Sequence, residues 1–93
     1  MMTYTLAFSE NALADIKTHK KSGDKAVLKK IEKLLNELME HPTTGTGQPE
    51  QLKHNLTGLH SRRINQKHRL VYSIDDQIDT VYVLSAWAHY GDK

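Results

Sequence analysis

Three kinds of side chain in the second half of the chain could together cleave RNA without a metal ion. They are the carboxylate of Glu50, the guanidinium groups of Arg62, Arg63 and Arg69, and the imidazole of His89. Cleavage through the 2'-hydroxyl of RNA needs a base for the hydroxyl proton, cations for the phosphate and an acid for the leaving oxygen. These residue types can supply all three near neutral pH. We therefore take them as candidates for a ribonuclease site.

Glu50 is the only acidic residue between Glu40 and Asp75. Segment 53–69, which follows it, contains five Lys/Arg residues and three histidines but no acid. Nearby cations favour the ionised carboxylate, which is the form that a general base needs. The same carboxylate could instead form an ion pair with Lys53 or with an arginine. The residues alone leave both interpretations open.

The spacing of the arginines predicts that two of them face each other across a β-hairpin. A turn of residues 65–66 would place Arg62 opposite Arg69, and a turn of residues 65–67 would place Arg63 there. Like charges at opposite positions are unfavourable by up to ~1 kcal/mol unless an anion or a carboxylate lies between them. The two guanidinium groups could therefore hold a phosphate, or both could extend into solvent.

His89 follows an apolar segment and has Tyr90 beside it. An imidazole can donate a proton to a leaving 5'-oxygen, although a lone histidine in such a position is more often a surface residue. Trp87 and Tyr90 could stack on RNA bases. The other candidates for stacking, Tyr72 and Tyr82, are expected to pack in or against the sheet.

The remaining histidines do not indicate a metal site. His54, His60 and His68 have spacings that match no standard ligand motif, and the sequence contains no cysteine. The cations around them would also repel a metal ion. We therefore expect no metal site.

Length and composition predict one small domain over residues 1–93, with room for a single core. The lack of cysteine excludes disulfides and fits a reducing compartment. The first residues do not resemble a secretory signal, and no apolar stretch approaches the roughly 20 residues that a membrane helix needs. We expect a cytoplasmic protein that does not contact membranes.

The elements that must position the candidate residues follow from hydrophobic periodicity. Alternation over residues 3–8 predicts a short strand. Two amphipathic helices are expected next, over residues 10–21 and 25–41, with Ser9 and Asp24 as their N-caps. Both helices thus precede every candidate for chemistry.

An irregular connection over residues 42–56 holds two prolines and two glycines and contains Glu50. Three strands are predicted near 58–64, 68–74 and 79–88, the last with the strongest β character. The order β-α-α-β-β-β, ending in a meander, implies an α+β fold. In this fold an antiparallel sheet packs against the two N-terminal helices.

An ordered set of motifs runs through the second half of the chain. They are Gly45-x-Gly47-x-Pro49-Glu50-x-Leu52-Lys53-His54-Asn55-Leu56-x-Gly58, Ser61-Arg62-Arg63-Ile64, His68-Arg69-Leu70-Val71-Tyr72 and His89-Tyr90. Together they closely resemble the YoeB/Txe-type toxins of the RelE superfamily, and the similarity extends over the early strand and the helices. The resemblance implies a single RelE-like toxin domain, with a fold like that of small microbial ribonucleases.

The resemblance also implies an activity and partners. It implies a ribosome-dependent endonuclease that cleaves mRNA in the ribosomal A site and so inhibits translation. A cognate antitoxin, expected to be Phd/YefM-like, would bind and silence the enzyme, and a homodimer is compatible with the family. No cofactor is required, and the product would carry a 2',3'-cyclic phosphate.

Individual roles follow from the same resemblance. Glu50 matches the family's general base, Arg69 matches the arginine that stabilises the phosphorane, and His89 matches the general acid. Three further positions that surround the scissile phosphate in the family are occupied here by Lys53, Arg63 and Tyr90. The roles agree with the chemistry expected from the residue types.

The chain departs from the family pattern just before the His-Tyr pair. An arginine often lies there, whereas this sequence has Ser85-Ala86-Trp87-Ala88. The last hairpin is also slightly longer, and a short tail follows Tyr90.

Two other functions remain as alternatives. One is a non-enzymatic relative that poisons gyrase, a branch that generally lacks the Glu/Arg/His set. The other is a basic RNA-binding module without activity, in which Glu50→Gln would leave the phenotype unchanged.

Overall fold

The computed structural model describes residues 3–52 and 57–87. Its elements are β1 (Thr5–Phe8), α1 (Glu10–Ser22), α2 (Lys25–Glu40), β2 (Glu50–Gln51), β3 (Leu59–Arg63), β4 (Arg69–Asp75) and β5 (Thr80–Ser85). The α+β class is confirmed, and β2 is a short strand that the sequence did not predict. The predictions for Lys53, His89 and Tyr90 lie outside the described residues. Among the described helices, none combines the length and apolar character needed to span a membrane.

Both helices begin after the residues predicted as N-caps. The Ser9 side chain accepts a hydrogen bond from the Ala12 N–H, and the Asp24 side chain accepts one from the Val27 N–H. Each bond satisfies a donor that the first turn of a helix leaves unpaired. Gly23 ends α1 with φ at 74°, a left-handed conformation that glycine adopts readily.

The strands form one sheet in the order β1-β5-β4-β3-β2. The pairs β2–β3, β3–β4 and β4–β5 are antiparallel, whereas β1 runs parallel to β5. The sheet is therefore mixed rather than antiparallel throughout. A parallel neighbour needs a long crossover, and the helices and the meander between β1 and β5 provide it.

One face of the sheet packs against the helices. The apolar residues of α2 recur at intervals of three and four, so that they form one stripe along the helix. This stripe shares a core with alternate residues of β4 and β5, namely Leu70, Tyr72, Val81 and Val83. Burial of a side chain such as Leu34, which is completely buried, contributes about 1.5–3 kcal/mol. The other face, which we call the second face, carries the side chains of Ser61 and Val71.

A β-bulge changes the direction of side chains near the end of β5. Val71 pairs with Ser85, but Tyr72 pairs with Val83, so Leu84 is an extra residue on β5. Such an insertion interrupts the alternation of side chains along a strand. Ser85 consequently lies opposite Val71 on the second face instead of sharing the core face of Val83.

Candidate active site

Strand pairing places Glu50 on the second face of the sheet. Glu50 lies opposite Ser61, which in turn lies opposite Val71. Residues that lie directly opposite each other on neighbouring strands project to the same face. The first residue of the short strand β2 therefore projects its carboxylate onto the face that does not pack against the helices.

The β3–β4 hairpin has the longer of the two predicted turns. The Ile64 N–H donates to the His68 carbonyl, which leaves residues 65–67 as the turn. The Asn65 side chain accepts hydrogen bonds from the N–H groups at positions 67 and 68. Arg63 lies opposite Arg69 in this register, as predicted for a three-residue turn. Both arginines lie on the second face.

Arg69 is in contact with Glu50. Its Nη1 atom lies 3.7 Å from Glu50 Oε1 and donates to Ser61 Oγ at 3.2 Å. The Glu50 side chain is 60% exposed, so the carboxylate remains accessible to a substrate hydroxyl. An ion pair with this exposure contributes only about 0–1 kcal/mol, and a phosphate can compete for Arg69 at little cost. The ion pair of Glu50 with an arginine, one of the two interpretations that the sequence left open, is therefore present, and the exposed carboxylate remains available for a catalytic role.

Arg63 adds a partly buried cation to this face. Its backbone N–H donates to the Gly47 carbonyl, which ties β3 to the segment before β2. Among residues 3–52 and 57–87, no hydrogen-bond acceptor reaches its buried Nε atom. A buried donor without a partner costs about 1–3 kcal/mol. An anion bound beside Arg63 could remove that cost.

Arg62 does not belong to the candidate site. Its side chain is completely buried on the helix side, where Nη1 pairs with Glu37 Oε1 at 3.0 Å. The alternative in which a two-residue turn places Arg62 opposite Arg69 is therefore excluded. The three-residue turn selects Arg63 as the partner of Arg69, and strand alternation sends Arg62 to the opposite face.

The ion pair between Glu37 and Arg62 makes the free energy of unfolding depend on pH in the acidic range. Burial would raise the pKa of Glu37, but hydrogen bonds from Thr46 and the charge of Arg62 outweigh it, so the pKa lies below the ordinary 4.5. The stability that this shift contributes is fully present above about pH 4.5 and is lost as the pH falls through the lower pKa of the folded state.

Glu37→Gln should consequently destabilise the protein most at neutral pH. We expect its deficit in the free energy of unfolding to shrink as the pH is lowered from about 7 to about 3, because the carboxylate of the unfolded wild type takes up a proton more readily than that of the folded wild type, whereas glutamine takes up none. Urea denaturation across this range measures the deficit. Glu32→Gln, at an exposed position of α2, is the control and should show no such trend. A deficit for Glu37→Gln that is constant with pH would contradict the expectation.

The aromatic residues divide into buried and exposed groups. Tyr72 is completely buried, as predicted, and its hydroxyl donates to the Pro42 carbonyl at 2.8 Å. Trp87 is 40% exposed and packs against two buried histidine rings, with centroid distances of 4.8 Å to His19 and 4.2 Å to His68. The Lys67 ammonium lies 5.6 Å from the centre of the indole ring. Trp87 thus keeps an exposed ring surface beside a cation.

The histidines that were considered as metal ligands pack against aromatic rings where the structure describes them. His60 stacks on Tyr72 at 5.5 Å between ring centroids, and burial lowers the pKa of His60. His68 lies against Trp87, and His54 is outside the described residues.

Ser61, which binds Arg69, was not singled out from the sequence. Its position two residues before Arg63 on a predicted strand could have indicated that both share one face.

The second face therefore combines an accessible carboxylate with two arginines from neighbouring strands. Glu50 and Arg69 are close enough for a phosphate and its adjacent 2'-hydroxyl to contact both. Such a pair can accept a proton and stabilise charge on phosphate oxygens. The residues assigned as acid and additional phosphate contacts, His89, Tyr90 and Lys53, lie outside the described part of the chain.

Comparisons with known proteins agree on one group of relatives. Residues 8–90 match the family model described as the YoeB-like toxin of bacterial type II toxin-antitoxin system. Toxin YoeB of Escherichia coli K12 is 45% identical over 67 residues, which are 72% of this chain and 77% of that protein. Two Staphylococcus aureus structures, a heterotetrameric YoeB–YefM complex and a YoeB dimer, are each 42% identical and have TM-scores of 0.78 and 0.79. Each aligns with 94% of this chain and 98% of the matched chain.

Proposed function

Because the chain belongs to the YoeB-like toxins of bacterial type II toxin-antitoxin systems, we propose that it is an mRNA endonuclease that acts in the ribosomal A site. The observation that carries the proposal is the contact of Arg69 with both Glu50 and Ser61 on the second face of the sheet. It brings a base and a phosphate-binding cation within reach of one nucleotide. In the proposed chemistry the protein contributes only side chains, and the RNA contributes the nucleophile.

In this proposal Glu50 is the general base. It accepts the proton of the 2'-hydroxyl, and the oxygen then attacks the adjacent phosphorus and displaces the 5'-oxygen of the next nucleotide. A 2',3'-cyclic phosphate and a free 5'-hydroxyl result. The exposure of the Glu50 side chain supports this role, because the hydroxyl can approach the carboxylate from solvent. The nucleophile belongs to the substrate, so the enzyme requires RNA.

Arg69 and Arg63 stabilise the negative charge that develops on the phosphate. Their opposite positions on β3 and β4 allow both guanidinium groups to face one anion, which also offsets their mutual repulsion. Preorganised charge of this kind is usually the largest single contribution to catalysis. Ser61 is a positioning residue, since its hydroxyl accepts a hydrogen bond from Arg69.

His89 is proposed as the general acid that protonates the leaving 5'-oxygen, with Lys53 and Tyr90 as further contacts to the phosphate. These three assignments come from the family motifs. Trp87 is proposed to stack on a base of the RNA, supported by its exposed ring and by the adjacent ammonium of Lys67.

The proposed partners are the ribosome, mRNA and a cognate antitoxin of the Phd/YefM type. The Staphylococcus aureus relative is found both in a YoeB–YefM complex and as a YoeB dimer. We propose that this chain likewise binds an antitoxin and can form a homodimer. Its site of action would be the cytoplasm, where translation takes place.

Primer extension on a defined mRNA, with and without translating ribosomes, tests the proposal. We expect cuts confined to the A-site codon, dependent on ribosomes and absent with His89→Gln. Cleavage of naked RNA alone would preserve the chemistry and remove the ribosome from the proposal. No cleavage in either condition would contradict an endonuclease and favour a gyrase-poisoning protein or a basic RNA-binding module.

A further inference from the structure

A polar network, completely buried at Arg62 and Tyr72 and partly buried elsewhere, joins α2, β3 and β4 to residues 41–48, the segment that immediately precedes Pro49 and Glu50. The network consists of Glu37, Thr46, Arg62 and Tyr72, and we call it the Arg62 network. None of its members touches the second face, where the candidate active site lies. Its contacts show how it could nevertheless affect catalysis.

The guanidinium group of Arg62 holds the beginning of this segment. Nη2 donates to the carbonyls of His41 and Thr44, the second at 2.6 Å. Nε donates to the Tyr72 hydroxyl at 3.2 Å, and Nη1 donates to Glu37. A completely buried cation is costly unless it is paired and its donors are satisfied, and here every nitrogen has an acceptor. The side chain therefore has one favourable position, which fixes the two carbonyls.

Glu37 and Tyr72 hold the same segment at two further points. The Glu37 carboxylate accepts from the Thr46 N–H and from the Thr46 hydroxyl, both at 2.7 Å. The Tyr72 hydroxyl, which accepts from Arg62, donates to the carbonyl of Pro42. One carboxylate thus links Arg62 to the part of the segment closest to Glu50.

Two glycines allow the segment to lie directly against these groups. A Cβ atom at Gly45 would clash with Glu37 Oε1, and one at Gly47 would be 2.9 Å from the Arg63 carbonyl oxygen. Both glycines have positive φ, at 121° and 86°. Gly47 also accepts the hydrogen bond of the Arg63 N–H. The chain is thereby fixed against β3 only three residues before Glu50.

Strand pairing alone would position Glu50 weakly. Among the described strands, β2 pairs with β3 alone; it has two residues, and their side chains are exposed. Strands are usually longer, about 5–6 residues, and two-residue pairing supplies few hydrogen bonds. The Leu52 N–H, just after β2, donates to the Leu59 carbonyl and holds the C-terminal side of this short strand. On its N-terminal side, the position of Glu50 relative to Arg69 depends on the segment that precedes it.

We propose that the Arg62 network positions Glu50 for proton abstraction, so that Glu37, Thr46 and Arg62 influence the chemical step through Glu50. These are positioning residues, because they lie on the helix side of the sheet, away from the second face that carries Glu50 and Arg69. The proposal rests on the function proposed for Glu50. A misplacement of about 1 Å at a reacting group can lower a rate by about 100-fold.

A double-mutant cycle of Glu37→Gln and Glu50→Gln tests the proposal in single-turnover cleavage on programmed ribosomes. Circular dichroism establishes that each variant is folded at the assay temperature. Glu37→Gln alone should lower the rate constant at saturating ribosome by about 10- to 100-fold, with the half-saturating ribosome concentration unchanged. In the Glu50→Gln background, Glu37→Gln should cause no further loss, because the base through which it acts is gone. Glu32→Gln, at an exposed position of the same helix, should match the wild type.

Equal losses from Glu37→Gln with and without Glu50 would overturn the proposal, as would a wild-type rate in the folded single variant. If Glu50→Gln itself cleaves at the wild-type rate, the proposed base is wrong, which is a distinct result.

A matched pair at Thr46 decides the question when the Glu50→Gln background is too slow to measure. Thr46→Val keeps the shape and removes the hydroxyl that donates to Glu37, whereas Thr46→Ser retains the hydroxyl. We expect Thr46→Val to lower the single-turnover rate constant at unchanged half-saturation and Thr46→Ser to restore most of it. Equal rates for the two folded variants would overturn the proposal.

Discussion

Replacement of Glu50 with glutamine is expected to lower the single-turnover rate of mRNA cleavage by about 10²–10⁴-fold. Glutamine has nearly the same shape but cannot accept a proton from the 2'-hydroxyl. The side chain is exposed and its ion pair with Arg69 contributes little, so the free energy of unfolding should change by less than about 1 kcal/mol. Rapid-mixing cleavage assays and urea denaturation measure the two effects separately.

Growth arrest upon expression provides a second measure of the same variant. Glu50→Gln should relieve the arrest and still bind the antitoxin, because the substitution is confined to one exposed side chain. Glu40→Gln, an exposed acid at the end of α2, is the matched control and should remain toxic. Full toxicity of Glu50→Gln at equal expression would contradict its role as the base.

Arg69→Ala is expected to lower the cleavage rate by about 10²–10³-fold, the usual cost of removing one group that stabilises transition-state charge. Arg69→Lys should recover only part of the loss, because an ammonium cannot contact Ser61 and a phosphate with the geometry of a guanidinium. The measurement is the same single-turnover assay at saturating ribosome.

Lys29→Ala removes an exposed cation from α2 and serves as the control for the loss of one positive charge. It should cleave at the wild-type rate. A comparable loss in Lys29→Ala and Arg69→Ala would attribute the effect to overall charge rather than to a contact with the phosphate. Wild-type cleavage by Arg69→Ala would remove it from the active site.

Local sequence signals predicted much of this fold. The N-caps at Ser9 and Asp24 and the apolar stripe of α2 depend on neighbouring residues, so they can be read without tertiary structure. The three strands of the meander were predicted for the same reason. The comparisons confirm the family that the sequence motifs indicate, because the family model matches residues 8–90.

Features that depend on pairing between distant segments could not be read in this way. The parallel pairing of β1 with β5 joins residues at opposite ends of the chain. The choice between Arg62 and Arg63 required the turn length, which differs by one residue between the two registers. The same one-residue difference decides which arginine lies on the second face and which lies on the helix side.

The contacts of the Arg62 network could not be predicted from the sequence either. Glu37 lies outside the apolar stripe of α2, where a charged side chain is expected to face solvent, and nothing local indicates that it binds Thr46 and an arginine 25 residues later.

Part of the proposed active site keeps the status of a prediction. The roles of Lys53, His89 and Tyr90 rest on family motifs, because these residues lie outside the described part of the chain.

The most direct test of the proposed chemistry is cleavage of an mRNA with a single 2'-deoxynucleotide at the expected cut site in the A-site codon. The purified protein and programmed ribosomes are incubated with this mRNA or with its all-ribose counterpart, and the new ends are analysed. We expect cleavage of the ribose mRNA to a 2',3'-cyclic phosphate and no cleavage at the deoxynucleotide. Equal cleavage of both mRNAs, or a 3'-hydroxyl end, would contradict attack by the 2'-hydroxyl and with it the role of Glu50.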